Sequence, residues 1–286
     1  MKHQKTPAGV QLRPPAIVTS TVVVLMIALA SAAASLAFAA PPLPATLAAL
    51  QKQGLSIVGT LPSPGGMTAY AAHAGTDPVA LYLTPDGKHV IAGTLLDATG
   101  KNLTAAGLEK VLAQPMAEAV WGRLERSHWI ADGRADAPRT VYVFTDPNCP
   151  YCNKLWADAR PWVYAGKLQL RHVMVGILTP TSVGKAAALL GDKNPAAALD
   201  MHERANVASI AKALDSGRPK PLDDDSLKPL ALVPSALAAQ LDANAALMAS
   251  YGLRATPALV WKDTKGGVQM RQGAPQSDLA VIFGSR

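Results

Sequence analysis

The chain has 286 residues, 49% of them apolar and only 16% charged, with a formal net charge of +7. This composition supplies enough apolar surface for a buried core and excludes a disordered or acidic-tail protein. Aromatic residues are few, so Ala, Val, Leu and Ile must build that core, and two cysteines exclude a disulfide-dense scaffold or a Cys-rich metal protein.

Lys2, Lys5 and Arg13 are the only charges before Lys52. A basic start, an apolar stretch from Thr21 to Ala30 and the small-x-small triplet Ala37-Phe38-Ala39 read as a signal peptide over residues 1–39, with Pro41-Pro42 following as a breaker. The alternative is an uncleaved anchor, because Ala16 to Ala34 approaches the ~20 residues that span a bilayer. Both readings place the body outside the cytoplasm, in the periplasm after cleavage. Losing the three leading cations lowers the formal charge from +7 to +4. No cluster of Lys and Arg interleaved with aromatics remains to suggest nucleic-acid binding.

The apolar spacing from Leu43 to Gln53 suits a short helix ended by Gly54. β-Prone pieces follow at Leu55–Thr60, Met67–Ala74, Val79–Thr84 and His89–Leu96, with turn residues at Pro64-Gly65-Gly66 and Pro85-Asp86-Gly87. This small antiparallel unit, residues 40–100, would bury too little surface to be comfortable alone, which invites oligomerisation or docking. Leu103, Leu108, Val111, Leu112, Met116, Val120 and Leu124 then recur at near-helical spacing. They predict a linker helix within residues 101–131 that Pro115 should kink or split.

A further domain, 132–286, opens with the apolar run Thr140–Thr145, typical of a central strand buried on both faces. Asp146-Pro147-Asn148 is a turn. Cys149-Pro150-Tyr151-Cys152 opens a helix that continues through Leu155, Trp156 and Ala159, with Pro161 after it. Leu168–Val175 is a second strand, which makes a βαβ unit. Residues from about 182 to 250 are Ala-rich and helical in pattern, interrupted at Pro195 and over Gly217–Pro234. Pro257–Trp261, a Gly266-Gly267 turn, Val268–Arg271 and a closing helix from Ser277 complete the chain.

The C-x-x-C pair carries the chemistry. As a structural disulfide its loop is so short that it would contribute only about 2 kcal/mol. As half a zinc site it lacks a second pair of ligands, and inert core thiols do not fit a strand–helix junction. At the helix N-terminus, Cys149 meets unpaired N–H groups and the positive end of the helix dipole, a setting that brings a thiol from about 8.5 into the range of roughly 3.5–7.5. Pro150 suits the first turn because its missing N–H would have been unpaired anyway. Cys152, one turn on and further inside, is placed to attack a mixed disulfide at Cys149, leaving a Cys149–Cys152 disulfide. Thr256-Pro257 before an apolar strand is a candidate cis bond that would set the Thr256 backbone beside the sulfurs. The plainer alternative is an ordinary edge proline.

These residues resemble the thioredoxin fold. Gln53-Gly54-Leu55, Pro64-Gly65-Gly66-Met67, Tyr82–His89, Ser127-His128-Trp129, Asp146–Cys152 and Ala159-Arg160-Pro161-Trp162-Val163 resemble the DsbG/DsbC family of periplasmic thiol:disulfide interchange proteins, closest to its DsbG branch. C-P-Y-C alone is a weak signal, shared with glutaredoxins, and the DsbC branch typically carries C-G-Y-C. The long basic start and the stretch Gly217–Pro234 depart from the family pattern. The resemblance implies an α+β protein: a small cystatin-like dimerisation domain, a linker helix, and a thioredoxin-like domain with a helical insertion. It further implies a V-shaped homodimer with its sites facing a cleft. Its partners would be exported client proteins with cysteines and a DsbD-type membrane reductase, with no cofactor and no metal.

The expected function is that of a disulfide isomerase and reductase acting on non-native disulfides or sulfenylated cysteines, with chaperone-like client binding. The alternatives are a DsbA-like dithiol oxidant and a holdase chaperone with secondary redox activity. Trp156, Trp162, His128, Met67 and Met174 read as packing or capping residues, and Asp223-Asp224-Asp225 as a solvated loop.

Overall fold

The computed structural model describes residues 42–217, 219–222 and 226–285. The signal segment and the three consecutive aspartates lie outside the described residues. Helix α1 (Ala45–Lys52) precedes four strands, β1 (Ser56–Leu61), β2 (Thr68–Ala74), β3 (Asp77–Leu83) and β4 (Val90–Ala92). They form an antiparallel sheet in the order β1-β2-β3-β4. One face holds Leu47 of α1 with Ala72 and Leu81. The other gathers Leu61, Ala69, Ala71, Ala80 and Tyr82 around Leu112.

Leu112 belongs to α2 (Ala105–Glu125), a helix that packs on two sheets in turn. Its first half gives Leu108, Val111, Leu112 and Met116 to the small sheet, and its second half gives Val120, Trp121 and Leu124 to the next. The helix is not split at Pro115. Proline removes one N–H from the ladder, and burial on both sides of that position holds the two halves in a single element.

Strand β5 (Trp129–Asp132), which the sequence pattern did not reveal, leads into β6 (Arg139–Thr145), α3 (Pro150–Tyr164) and β7 (Leu168–Met174). Between β5 and β6, Gly133 adopts φ +108°, and a Cβ there would fall 2.5 Å from the Leu168 carbonyl oxygen, so no side chain fits that turn. Helices α4 (Ser182–Leu190), α5 (Pro195–Asp215) and α6 (Ser235–Ser250) follow, then β8 (Ala258–Lys262), β9 (Val268–Gln272) and the short α7 (Leu279–Phe283). Pro195 occupies the first turn of α5, where Asn194 caps the helix by accepting from the Ala197 N–H. Helix α3 runs past Pro161 instead of stopping before it, because Trp162 and Val163 are buried in the core beyond it.

The second sheet has the order β5-β7-β6-β8-β9, with β6 and β7 parallel and the other pairs antiparallel. Together with the helices across its faces, this makes the α+β, thioredoxin-like part of the chain. Residues 141–144 of the central strand β6 are fully buried. Strand alternation sends Val141 and Val143 toward α3 and α7, and Tyr142 and Phe144 toward α2 and α6. Trp162 and Met174 are core residues and Met67 packs at the rim of the small sheet. His128 sits where its backbone N–H and C=O are both taken by the side chain of the buried Asn244.

At the end of β5, Asp132 accepts both arms of the Arg160 guanidinium and lies 3.4 Å from His172 Nε2, whose Nδ1 meets Thr145 Oγ1 at 3.0 Å. Burial pushes the Asp132 carboxyl up, but the hydrogen bonds from His172 and Arg160 outweigh it and hold the group at about 2, below the usual 3.8. A depressed carboxyl stabilises the fold above its unfolded value and loses that contribution as pH falls through the folded one. Asp132 should therefore contribute about 2 kcal/mol that disappears between pH 4 and pH 2. Denaturant unfolding at neutral and acid pH should show a steeper loss for the parent than for Asp132→Asn; parallel losses would remove the ion pair from the acid response.

Candidate active site

The site begins at the turn after β6. Asp146, buried at the strand end, accepts the Asn148 N–H, the Ile177 and Leu178 N–H groups and the Ser182 hydroxyl, all within 2.7–2.9 Å. The Asn148 amide donates to Thr179, Thr181 and Ser182. From the far side, Leu222 N–H donates to Asn148 O, and His202 Nε2 lies 2.8 Å from Pro147 O. Each group holds the backbone of the turn, so the sulfur that follows has a fixed origin.

Cys149 is the N-cap of α3, with an extended backbone (φ −86°, ψ 112°) and Pro150 in the first turn. Its Sγ accepts from the Cys152 N–H at 3.3 Å, and its S–H donates to the Thr256 carbonyl at 3.4 Å. The Thr256–Pro257 bond is cis, and strand β8 starts at the next residue. Thus Cys149, Cys152, Thr256 and Pro257, distant in sequence, meet at one point. Tyr151 differs in exposing 52% of its surface, whereas Cys149 and Cys152 expose only 3% and 2%. Both cysteines are free thiols.

Similar burial does not give the two sulfurs similar acidity. The Cys152 thiol as hydrogen-bond donor does most to lower Cys149, against the cost of burial, with help from the Thr256 hydroxyl and the helix N–H groups, and brings it to about 7. Burial drives Cys152 well above the usual thiol value, and the neighbouring Cys149 sulfur drives it further. The Thr256 Oγ1 is buried and completes no hydrogen bond. Its influence on Cys149 is accordingly that of a nearby dipole, weaker than a formed bond. Beside the sulfurs lies a cavity of about 560 Å³, lined by Tyr151, Leu155, Leu214, Ala255, Pro257 and Pro275 among others, with Lys154 at its edge.

The residues hidden from sequence reasoning come from the inserted helices and from β5. Glu203 is buried and its carboxylate accepts from the Asn153 amide at 2.7 Å. Its signal lay in the spacing of α5: Leu199, His202, Glu203, Asn206 and Ile210 share the buried stripe, and a charged residue on the buried face of a helix calls for a reason. Among the described residues no cluster of three or more His, Cys, Asp or Glu side chains is arranged to hold a metal ion.

Over residues 37–105 the chain matches the family described as the disulfide bond isomerase protein N-terminal domain. It is 50% identical over 254 residues to the thiol:disulfide interchange protein DsbG of Pseudomonas aeruginosa, a match covering 88% of this chain and 93% of that protein. The chain belongs to the DsbG family. The DsbG of Escherichia coli is 39% identical over 248 residues, covering 86% of this chain and 94% of its own. Among solved structures, the catalytic domain of Proteus mirabilis ScsC is similar with a TM-score of 0.44 and 22% identity, covering 58% of this chain and 94% of that one. Within this DsbG-family chain, C-P-Y-C opens the helix that follows the central strand.

Alkylation of the reduced protein against pH should give a single reactive thiol with a midpoint near 7. Cys152→Ala removes the largest lowering influence and should move that midpoint upward more than Thr256→Val does. A larger shift from Thr256→Val would reverse the ranking of the two contacts.

Proposed function

We propose that this protein is a periplasmic thiol:disulfide reductase and isomerase working through Cys149 and Cys152. The thiolate of Cys149 attacks a non-native client disulfide, forming a mixed disulfide and releasing one client thiolate. Either a second client thiol then displaces Cys149, which isomerises the client, or Cys152 does, which reduces it and leaves a Cys149–Cys152 disulfide. A sulfenylated client cysteine enters the same route: Cys149 attacks the sulfenic sulfur, water leaves after protonation, and Cys152 resolves. A DsbD-type membrane reductase would return the pair to the dithiol.

The observation that carries this reading is the opposite displacement of the two thiols, Cys149 down to about 7 and Cys152 well up. It separates an attacking group from a resolving one. The N-terminal domain, which matches a disulfide bond isomerase family over residues 37–105, argues against a DsbA-like oxidant. The apolar cavity beside Thr256 supports client binding, as do exposed Ile177, Leu178 and Val183 around the redox turn. An unfolded segment with a cysteine would lay its apolar neighbours on these surfaces while its sulfur meets Cys149. Chaperone-like capture thus accompanies the redox step and does not replace it.

The same reading makes the protein a homodimer through its N-terminal sheet. Strand β4 is a three-residue edge with Ile91 56% exposed, and Leu96 beyond it is equally open. An unpaired, apolar edge is a template for a second copy.

Two experiments test these proposals. Cys152→Ala should accumulate mixed disulfides with exported proteins, and Cys149→Ala should accumulate none; equal trapping by both would overturn the assignment of roles. A fragment beginning at Leu103 should sediment as a monomer yet still reduce small disulfides, whereas a dimeric fragment would move the interface elsewhere.

A further inference from the structure

Strand β9 ends at Gln272, beside the loop that carries Thr256 and Pro257 to the sulfurs. The Gln272 Oε1 accepts two main-chain N–H groups of that loop, from Arg254 at 2.6 Å and from Ala255 at 2.7 Å. The following residue, Gly273, donates its N–H to the Pro257 carbonyl at 2.8 Å. The end of β9 therefore pins the loop on both sides of Thr256, whose carbonyl meets Cys149.

These bonds use up the donors of the loop. Arg254 and Ala255 have given their N–H groups to Gln272, and Pro257 has none to give. Among the described residues 254–257, Thr256 alone keeps a free main-chain N–H. Two neighbouring N–H groups on one acceptor also fix which way the Gln272 amide points. Its oxygen is turned to the loop, so Nε2 with its two donors is turned away. Among the described residues that nitrogen completes no hydrogen bond. Gln272 lines the apolar cavity together with Ala255, Thr256 and Pro257. Gln276 is the other amide of the lining, but no hydrogen bond of its side chain sets which end faces inward. A glutamate would accept the same two N–H groups more strongly. Fastening the loop therefore does not call for an amide, and what the amide adds is the donor end.

We propose that Gln272 is a client-binding residue whose Nε2 donates to a main-chain carbonyl beside the client cysteine. This rests on the client binding assigned above to the cavity. The side chain takes up the N–H groups of Arg254 and Ala255 and returns two of its own to the cavity. An extended segment presents N–H groups and carbonyls in alternation, so it needs donors as well as an acceptor. Thr256 O serves the segment's N–H, and Gln272 serves its carbonyl. The ligand class is thus an extended peptide whose carbonyl next to the cysteine is unpaired. Flanking side chains rest on the apolar wall of Leu155, Leu214, Pro257 and Pro275, while the amide reads only backbone. A disulfide without a peptide group offers nothing to this contact.

The reduced protein is reacted with two disulfides, one a cysteinyl peptide with neutral, apolar flanking residues and one a small aromatic disulfide. Each rate of mixed-disulfide formation is divided by that substrate's rate with a free thiol. The parent should favour the peptide. Gln272→Glu keeps an acceptor for the loop and sets an oxygen where the donors were, so it should lower the peptide-to-aromatic ratio on the order of 10-fold. Gln272→Met removes both ends and should lower the ratio as well. Both substrates feel the new charge through the same Cys149 thiolate, so the ratio cancels that effect. A ratio held at the parent's value in both variants would overturn the proposal and leave client binding at the cavity standing. A parent that does not favour the peptide would overturn the client binding beneath it, and the proposal with it. Should the Gln272 variants not fold, the unaltered side chain decides. In the Cys152→Ala protein trapped on the peptide, the Gln272 side-chain N–H resonances should move downfield from their positions in the free protein. Unmoved resonances would overturn the proposal.

Discussion

Cys149 and Cys152 sit one helical turn apart, and both are almost wholly withdrawn from water. What separates them is the backbone. The first sulfur caps a helix and takes an N–H from the second cysteine's own peptide, so the helix terminus and the neighbouring thiol stabilise charge at Cys149. The second sulfur lies inside the first turn, where the N–H groups are directed away from it toward the cap. Desolvation therefore acts on Cys152 with little to offset it. An ordered disulfide exchange requires this asymmetry, and the other elements of the domain serve to keep it in place.

The helical insertion is part of that support. Leu222 and His202 hold the carbonyls of Asn148 and Pro147, Glu203 holds Asn153, and Ser182 shares Asp146 with the loop after β7. The turn could not shift without breaking contacts to α4, to α5 and to Leu222 beyond α5. Asp132, Arg160 and His172 fix α3 to β5 and β7 from the opposite side, and Arg160 lies 3.9 Å from the centre of the Trp156 ring, a stacked contact that shields the middle of the helix. Trp156 and Trp162 thus act as packing residues of the active-site helix, one beneath the guanidinium and one against Phe283.

Much of this was legible in the sequence. Apart from β5, the strands of both sheets follow β-prone runs bounded by turn residues, and α2 follows its apolar spacing. The site is legible where chemistry demands unusual residues in a fixed spacing, as in Cys149-Pro150-Tyr151-Cys152 and Thr256-Pro257. Two kinds of feature escaped. Strand β5 is four residues long and mixes Trp129, Ile130, Ala131 and Asp132, so neither period shows. Glu203 and Asp132 belong to the site only through contacts with residues 50 and 28 positions away, and side-chain pairing at such separation leaves no local pattern. The prolines misled in the other direction. Pro115 reads as a kink or a split and Pro161 as following the end of its helix, yet α2 is not split and α3 runs on through Pro161, with burial on both sides of each.

Under the proposed function, the contact between Cys149 and Thr256 would link the chemistry to the choice of client. In the dithiol form the Thr256 carbonyl accepts the Cys149 S–H. Once the thiolate forms, that carbonyl has lost its donor, and an extended client backbone bearing the target sulfur can supply an N–H in its place. Ionisation of Cys149 and exposure of a backbone acceptor beside it are then the same event. In the proposed function, the apolar cavity that begins at Thr256 and Pro257 would receive whatever side chain flanks the client cysteine. Selection would then fall on segments that are extended and apolar near their cysteines, features that folding hides. A correctly folded client keeps its backbone N–H groups paired and its apolar side chains inside, so it would offer neither handle and would be released.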